Sequence, residues 1–151
     1  MPAALAFLHH LAAFALVSAI AVEFVSLRGE LTVGKARTIR LADLVYGVSA
    51  AAILTVGVLR VLYFEKGTYY YFHSVPFFAK MSLFVVVGLL SVYPTLQFFS
   101  WRAALKRGSA PVVEPSRLRA LRLLIHLELA ALVALIACAT LMARGIGYVG
   151  A

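Results

Sequence analysis

Four basic or imidazole side chains stand inside otherwise apolar segments of this sequence: His9, His10, Arg60 and Lys80. A neutral imidazole is a common ligand of haem iron and of copper-type metals. Guanidinium and ammonium groups form charge-assisted hydrogen bonds with carboxylates, such as the propionates of a tetrapyrrole. We therefore expect these four residues to form a cofactor-binding site, in which His9 or His10 is the metal ligand.

A second set of polar residues lies near the opposite ends of the apolar segments: Glu23, Asp43, His126 and Glu128. Side chains near a helix end can snorkel to the membrane surface, and these could also pair with Arg119 and Arg122. An ionisable group inside a membrane can equally mark a functional site. The sequence leaves both interpretations open for this secondary polar cluster.

The segments that carry these residues indicate a membrane protein. Of the 151 residues, 64% are hydrophobic and only 13% are charged, whereas soluble domains contain about 25% charged residues. A chain this short cannot bury so much apolar surface in its own interior, so lipid must be the solvent for most of it. We predict an all-α integral membrane protein, a single-domain four-helix bundle over residues 1–151 with up-down topology.

Four apolar runs have about the 20 residues that a helix needs to cross a bilayer. We predict transmembrane helices at about residues 3–26, 43–64, 76–101 and 119–143. Since a helix rises about 1.5 Å per residue, the four residues of the predicted cofactor site lie within roughly 5–12 Å of the helix ends on one side. An aromatic cluster at Tyr69–Phe72 is predicted at the same interface.

Basic residues are concentrated in the two connections on the other side of the membrane. The ten residues concerned are Arg28, Lys35, Arg37, Arg40, Arg102, Lys106, Arg107, Arg117, Arg119 and Arg122. The positive-inside rule assigns these connections to the cytoplasm and both termini to the outer side. We therefore expect a multi-pass protein of the bacterial inner membrane with periplasmic termini. This distribution explains the net charge of +8 without a nucleic-acid partner.

Helical phase predicts which side chains face the interior. His9 and Glu23 are fourteen positions apart, so they share one face of the first helix to within about 40°, while His10 points about 100° away. His9 should therefore face the bundle if Glu23 does. On the third helix, one face is predicted to carry Lys80, Phe84, Val87, Ser91, Pro94 and Phe98.

The segments "LHHLAAFALVSAIAVE", "GVLRVLYFEKGTYYY" and "FFAKMSLFVVVGLLSVYPTLQFF" resemble an uncharacterised family of bacterial inner-membrane proteins with four transmembrane helices. This resemblance covers nearly the whole chain and implies the location and the fold. More distantly, the layout resembles HemJ, the membrane protoporphyrinogen oxidase, and the CopD-like membrane domains. The matching positions are His9 or His10, Arg60, and Lys80 in "FFAK". This second resemblance implies a b-type haem held by these residues.

Three functions are compatible with these observations. The leading interpretation is a small membrane redox protein that binds haem b near the outer face, either in electron transfer or as a haem-dependent oxidoreductase similar to protoporphyrinogen oxidase. The sequence contains no arrangement that establishes an enzyme. The alternative is a non-enzymatic helical bundle, an oligomerising or accessory subunit with a homodimer or a membrane complex as partner. The third is metal-ion binding or transport through His9, His10 and His73.

Overall fold

The computed structural model describes residues 2–64, 73–147 and 149. It contains four long helices: α1, Pro2–Ser26; α2, Val33–Leu59; α3, Val75–Ser100; and α4, Pro115–Ala143. A π-helical turn, Arg60–Phe64, continues α2, and a short helix, Arg102–Lys106, follows α3. Each long helix is apolar and long enough to cross a membrane, so the predicted all-α four-helix membrane fold is confirmed. The aromatic cluster predicted at Tyr69–Phe72 lies outside the described residues.

Two helices begin earlier than the sequence predicted. Helix α2 begins at Val33 rather than near Asp43, because Thr32 caps it and the Lys35 N–H donates to the Thr32 hydroxyl over 3.3 Å. Helix α4 begins at Pro115 rather than near residue 119, since proline is well tolerated at a first helical position. Several basic residues assigned to connections therefore lie on helical extensions beyond the apolar spans.

The chain ends on the same side of the membrane as the α2–α3 connection. The Val75 N–H donates to the Gly147 carbonyl over 3.1 Å, and the Val149 N–H donates to the His73 carbonyl over 2.9 Å. Because four spans in series return the chain to its starting side, the start of α1 is there too. We name this the termini side, and the side of the α1–α2 and α3–α4 connections the basic side. The periplasmic location of the termini side stays a prediction.

The helices pack as two close pairs. Helix α1 lies along α2 and α3 lies along α4, while α1 meets α4, and α2 meets α3, over shorter stretches. Buried side chains are concentrated towards the basic side, where Ile20, Ile39, Phe98 and Ile125 are fully enclosed. Towards the termini side, the limited contact between α2 and α3 leaves a cleft.

Gly147, near the end of the chain, packs closely against Pro76 on the termini side. Gly147 has a φ of +79°, and a Cβ at this position would lie 2.9 Å from Cδ of Pro76. We predict that Gly147→Ala lowers the free energy of unfolding by about 1–2 kcal/mol, because a side chain disfavours left-handed backbone and the proline ring cannot move aside.

The matched control is Gly47→Ala in α2, where a Cβ would meet nothing within 4 Å. This variant should be neutral or more stable by up to about 1 kcal/mol, because alanine favours the helix. Thermal unfolding of both variants in detergent measures the difference. Equal midpoints for the two variants would contradict the packing described for the chain end.

Candidate functional site

The cleft between α2 and α3 contains a pocket of about 200 Å³ on the termini side. Three polar or charged side chains line it: His9 from α1, Arg60 from the π-helical turn and Lys80 from α3. The rest of the lining is aliphatic, aromatic or methionine. The structure thus brings together three of the four residues predicted for a cofactor site. We name this the termini-side pocket.

His9 reaches the pocket because of its position on α1, and its ring lies against α2 at Gly57. A Cβ added at Gly57 would lie 3.6 Å from Cε1 of His9, an ordinary van der Waals distance, so the imidazole packs beside the α2 backbone. Glu23 is buried on the same face of α1. The fourteen-residue spacing therefore predicted the direction of His9 correctly.

His10 lies outside the pocket. Its side chain is exposed, its Nδ1 is 2.6 Å from the carbonyl oxygen of Ala6 on the same helix, and its ring contacts His9 edge-on at a centroid distance of 6.1 Å. Of the two histidines predicted as alternative ligands, the structure therefore gives only His9 access to the pocket.

The apolar wall of the pocket opens towards lipid. Leu54, Val58 and Leu62 line the pocket and yet are 45–54% exposed, so a molecule in the bilayer can enter between α2 and α3. Two thioether sulfurs, those of Met81 and Met142, belong to the same lining. Sequence reasoning missed both methionines, because nothing in the pattern separates them from ordinary apolar residues of a transmembrane helix.

The described residues do not support a metal site built from several protein side chains. Among residues 2–64, 73–147 and 149, no three His, Cys, Asp or Glu side chains are placed to hold one ion. Metal binding or transport that depends on His9, His10 and His73, the third interpretation, stays a prediction.

The secondary polar residues form a buried group towards the basic side. Glu23, Asp43, Tyr46 and Glu128 come from α1, α2 and α4 and interact with one another. The exposed fractions of Glu23, Tyr46 and Glu128 are 4%, 5% and 2%. The burial of Glu23 and Glu128 contradicts the interpretation that these two groups snorkel to the membrane surface, whereas Asp43 is half-buried. We name these four residues the acidic cluster.

The neighbours of the acidic cluster are mainly hydroxyl groups. The Thr95 hydroxyl of α3 donates to a carboxylate oxygen of Asp43 over 2.6 Å, and the Tyr46 phenol lies beside Glu128 and Ser91. Arg122, one of the expected ion-pair partners, instead donates to the backbone carbonyls of Leu27 and Gly29. The predicted pairing of the acidic residues with Arg122 is therefore wrong.

His126 does not belong to the acidic cluster, and its assignment there was wrong. It is exposed, because two positions along a helix turn it roughly 200° away from the buried Glu128. Its Nδ1 lies 2.6 Å from the carbonyl oxygen of Arg122, and its ring packs edge-on against Phe24 at 4.6 Å. Tyr46 is the fourth member instead.

The termini-side pocket and the acidic cluster are two separate sites. At about 1.5 Å per residue, His9 and Glu23 lie roughly 21 Å apart along α1. The side chains of Leu16, Ala19 and Ile20 between them are buried and apolar. Ser18, the polar residue of α1 between them, is exposed and does not join the two sites.

The hydrogen bond between Thr95 and Asp43 connects α3 to the acidic cluster. We predict that Thr95→Val lowers the free energy of unfolding by about 0.6 kcal/mol, the average for hydrogen bonds between transmembrane helices, and by no more than about 1.7 kcal/mol, the largest value measured for them. Thr140→Val is the matched control, because the Thr140 hydroxyl donates to Ile136 of its own helix over 2.9 Å. Unfolding in mixed detergent should show a smaller loss for Thr140→Val, and equal losses would contradict an interhelical role for Thr95.

Comparison with known proteins identifies the family. Residues 1–147 match the model of a family described as predicted membrane protein (DUF2214). Neither the curated proteins nor the solved structures give a match, and the distant resemblance to HemJ and CopD-like domains stays a prediction. Because the match covers almost the whole chain, this protein belongs to the DUF2214 family of predicted membrane proteins.

Proposed function

We propose that the termini-side pocket binds an anionic molecule with a broad apolar body, and that this molecule is b-type haem. The observation that carries the proposal is the meeting of one imidazole and two cationic side chains, His9, Arg60 and Lys80, in a single apolar pocket. Each of the three comes from a different segment of the chain. Spanning the membrane requires none of them, and each has a cost in hydrocarbon.

The residues present fit haem in kind. The His9 imidazole is a suitable axial ligand, and the thioethers of Met81 and Met142 are the type of group that completes histidine–methionine ligation in other haem proteins. Arg60 and Lys80 suit the two propionates as charge-assisted partners. The opening towards lipid lets a molecule larger than the enclosed pocket extend between α2 and α3. When bound, haem supplies one-electron redox chemistry.

The position of Arg60 supports the same proposal. It begins the π-helical turn Arg60–Phe64 at the end of α2. Short π-helical segments are rare and occur frequently at functional sites, because the wider turn redirects a side chain at some cost to helix stability. The turn at Arg60 is the only π-helical segment among the described residues.

In this proposal, the protein is a small redox protein of the bacterial inner membrane, acting in electron transfer or as an oxidoreductase similar to protoporphyrinogen oxidase. His9 would hold the iron, and the apolar walls would keep water away from it; both features influence the reduction potential of a haem. Arg60 and Lys80 fix the orientation by neutralising the carboxylates.

The test is the visible absorption spectrum of the protein purified in detergent from haem-replete cells. We predict a Soret band in the wild type and its loss in His9→Ala. The matched control His10→Ala should keep the band, because His10 lies outside the pocket. Arg60→Ala and Lys80→Ala should each weaken haem binding about tenfold or more in a haemin titration, since each removes a hydrogen bond to a charged group.

Two results would contradict the proposal. One is the absence of a Soret band in the wild type even after haemin is added. The other is a band that survives His9→Ala. If, in addition, crosslinking in membranes captured a stable partner, the non-enzymatic interpretation as an oligomerising or accessory subunit would be favoured.

A further inference from the structure

We propose that the acidic cluster is a proton-binding site that exchanges protons with the basic side of the membrane. The proposal does not rest on haem binding, because the cluster and the termini-side pocket share no residue. It rests on three carboxyl groups from three helices, two of which, those of Glu23 and Glu128, are buried, and on one oxygen of each of these two that lacks a hydrogen bond.

The unpaired atoms are the first observation. In the described part of the chain, one carboxyl oxygen of Glu23 and one of Glu128 are buried without a hydrogen-bond partner. Buried groups of this kind are rare in folded proteins. Two of them in one group therefore indicate a site that binds a ligand.

The charges around the cluster are the second observation. Arg40 acts on Asp43, while Glu23 and Glu128 face Asp43, Tyr46 and one another. From α3 the cluster is faced by the hydroxyls of Thr95 and Ser91. The cluster thus contains three carboxyl groups and has one cationic side chain, Arg40, beside it. Because negative groups are in excess, the ligand of this site must be a cation.

The proton is the cation that fits this geometry. No three acidic, histidine or cysteine side chains in the described residues are placed to ligate a metal ion, whereas a proton needs a single oxygen. A protonated carboxyl group also gains an O–H donor. A proton on Glu23 or Glu128 would turn an unpaired acceptor into a donor.

The surroundings determine the side from which protons arrive. Asp43 is only half-buried and Thr95 is exposed, and Arg40 lies one turn before Asp43 on α2, on the basic side. In the other direction, the buried apolar side chains of Leu16 and Ile20 lie on α1 between Glu23 and His9, which are roughly 21 Å apart along the helix. Asp43 is therefore the entry to the cluster from the basic side.

The test is infrared spectroscopy of the protein reconstituted in lipid vesicles, with difference spectra between high and low pH in H₂O and D₂O. We predict the C=O stretching band of a buried protonated carboxyl group, which shifts in D₂O. Glu23→Gln and Glu128→Gln should each remove or shift this band. Glu114→Gln is the matched control, because Glu114 is exposed before α4, and it should leave the band unchanged.

A further variant guards against misfolding of the glutamine variants. Tyr46→Phe keeps the ring and removes only the phenol beside Glu128, so it should shift the band without removing it. Absence of a protonated carboxyl band in the wild type would overturn the proposal, as would a band that none of the Glu23, Glu128 or Tyr46 variants changes. A band that disappears when Na⁺ replaces K⁺ at constant pH would also overturn it, in favour of a metal cation.

Discussion

Hydrocarbon offers a polar group neither water to bond with nor ions to screen it, and this constraint decides where each polar side chain of the protein can lie. A hydroxyl group can satisfy the constraint within its own helix. The Ser91 hydroxyl donates to the Gly88 carbonyl, and the Thr140 hydroxyl donates to the Ile136 carbonyl. The remaining ionisable groups of the spans are gathered mainly in two places, the termini-side pocket and the acidic cluster.

The same constraint explains why the bundle is packed unevenly. Around the acidic cluster, side chains such as Ile20, Phe98 and Ile125 are fully enclosed, so the carboxyl groups are kept from lipid by the protein itself. At the other end, α2 and α3 separate and the pocket is open to the bilayer. An enclosed site suits a small ligand such as a proton, and an open one suits a ligand that arrives through lipid.

Much of this arrangement follows from the sequence because depth and phase can be counted. Residue counting predicted that His9, Arg60 and Lys80 lie at one depth, and the structure finds them in one pocket. The face predicted for the third helix is also the inner one, since Val87, Pro94 and Phe98 are buried on α3.

The rest needed the structure, for identifiable physical reasons. Hydropathy marks the part of a helix in lipid, so it missed the extension of α2 back to the Thr32 cap. Residues grouped by depth alone, without their rotation around the helix axis, put His126 in the same cluster as Glu128. The two side chains point to opposite sides of α4. The sequence could not identify Met142 as a pocket residue, because its position there depends on which helices meet at the pocket. The pairing of helices is a property of the whole bundle.

Native mass spectrometry of the protein released from haem-replete membranes shows whether the termini-side pocket holds a haem. We predict the mass of the chain plus one haem b for each protein chain, with the haem released on collisional activation. The mass of the chain alone, or with a ligand of another mass in its place, would contradict haem binding.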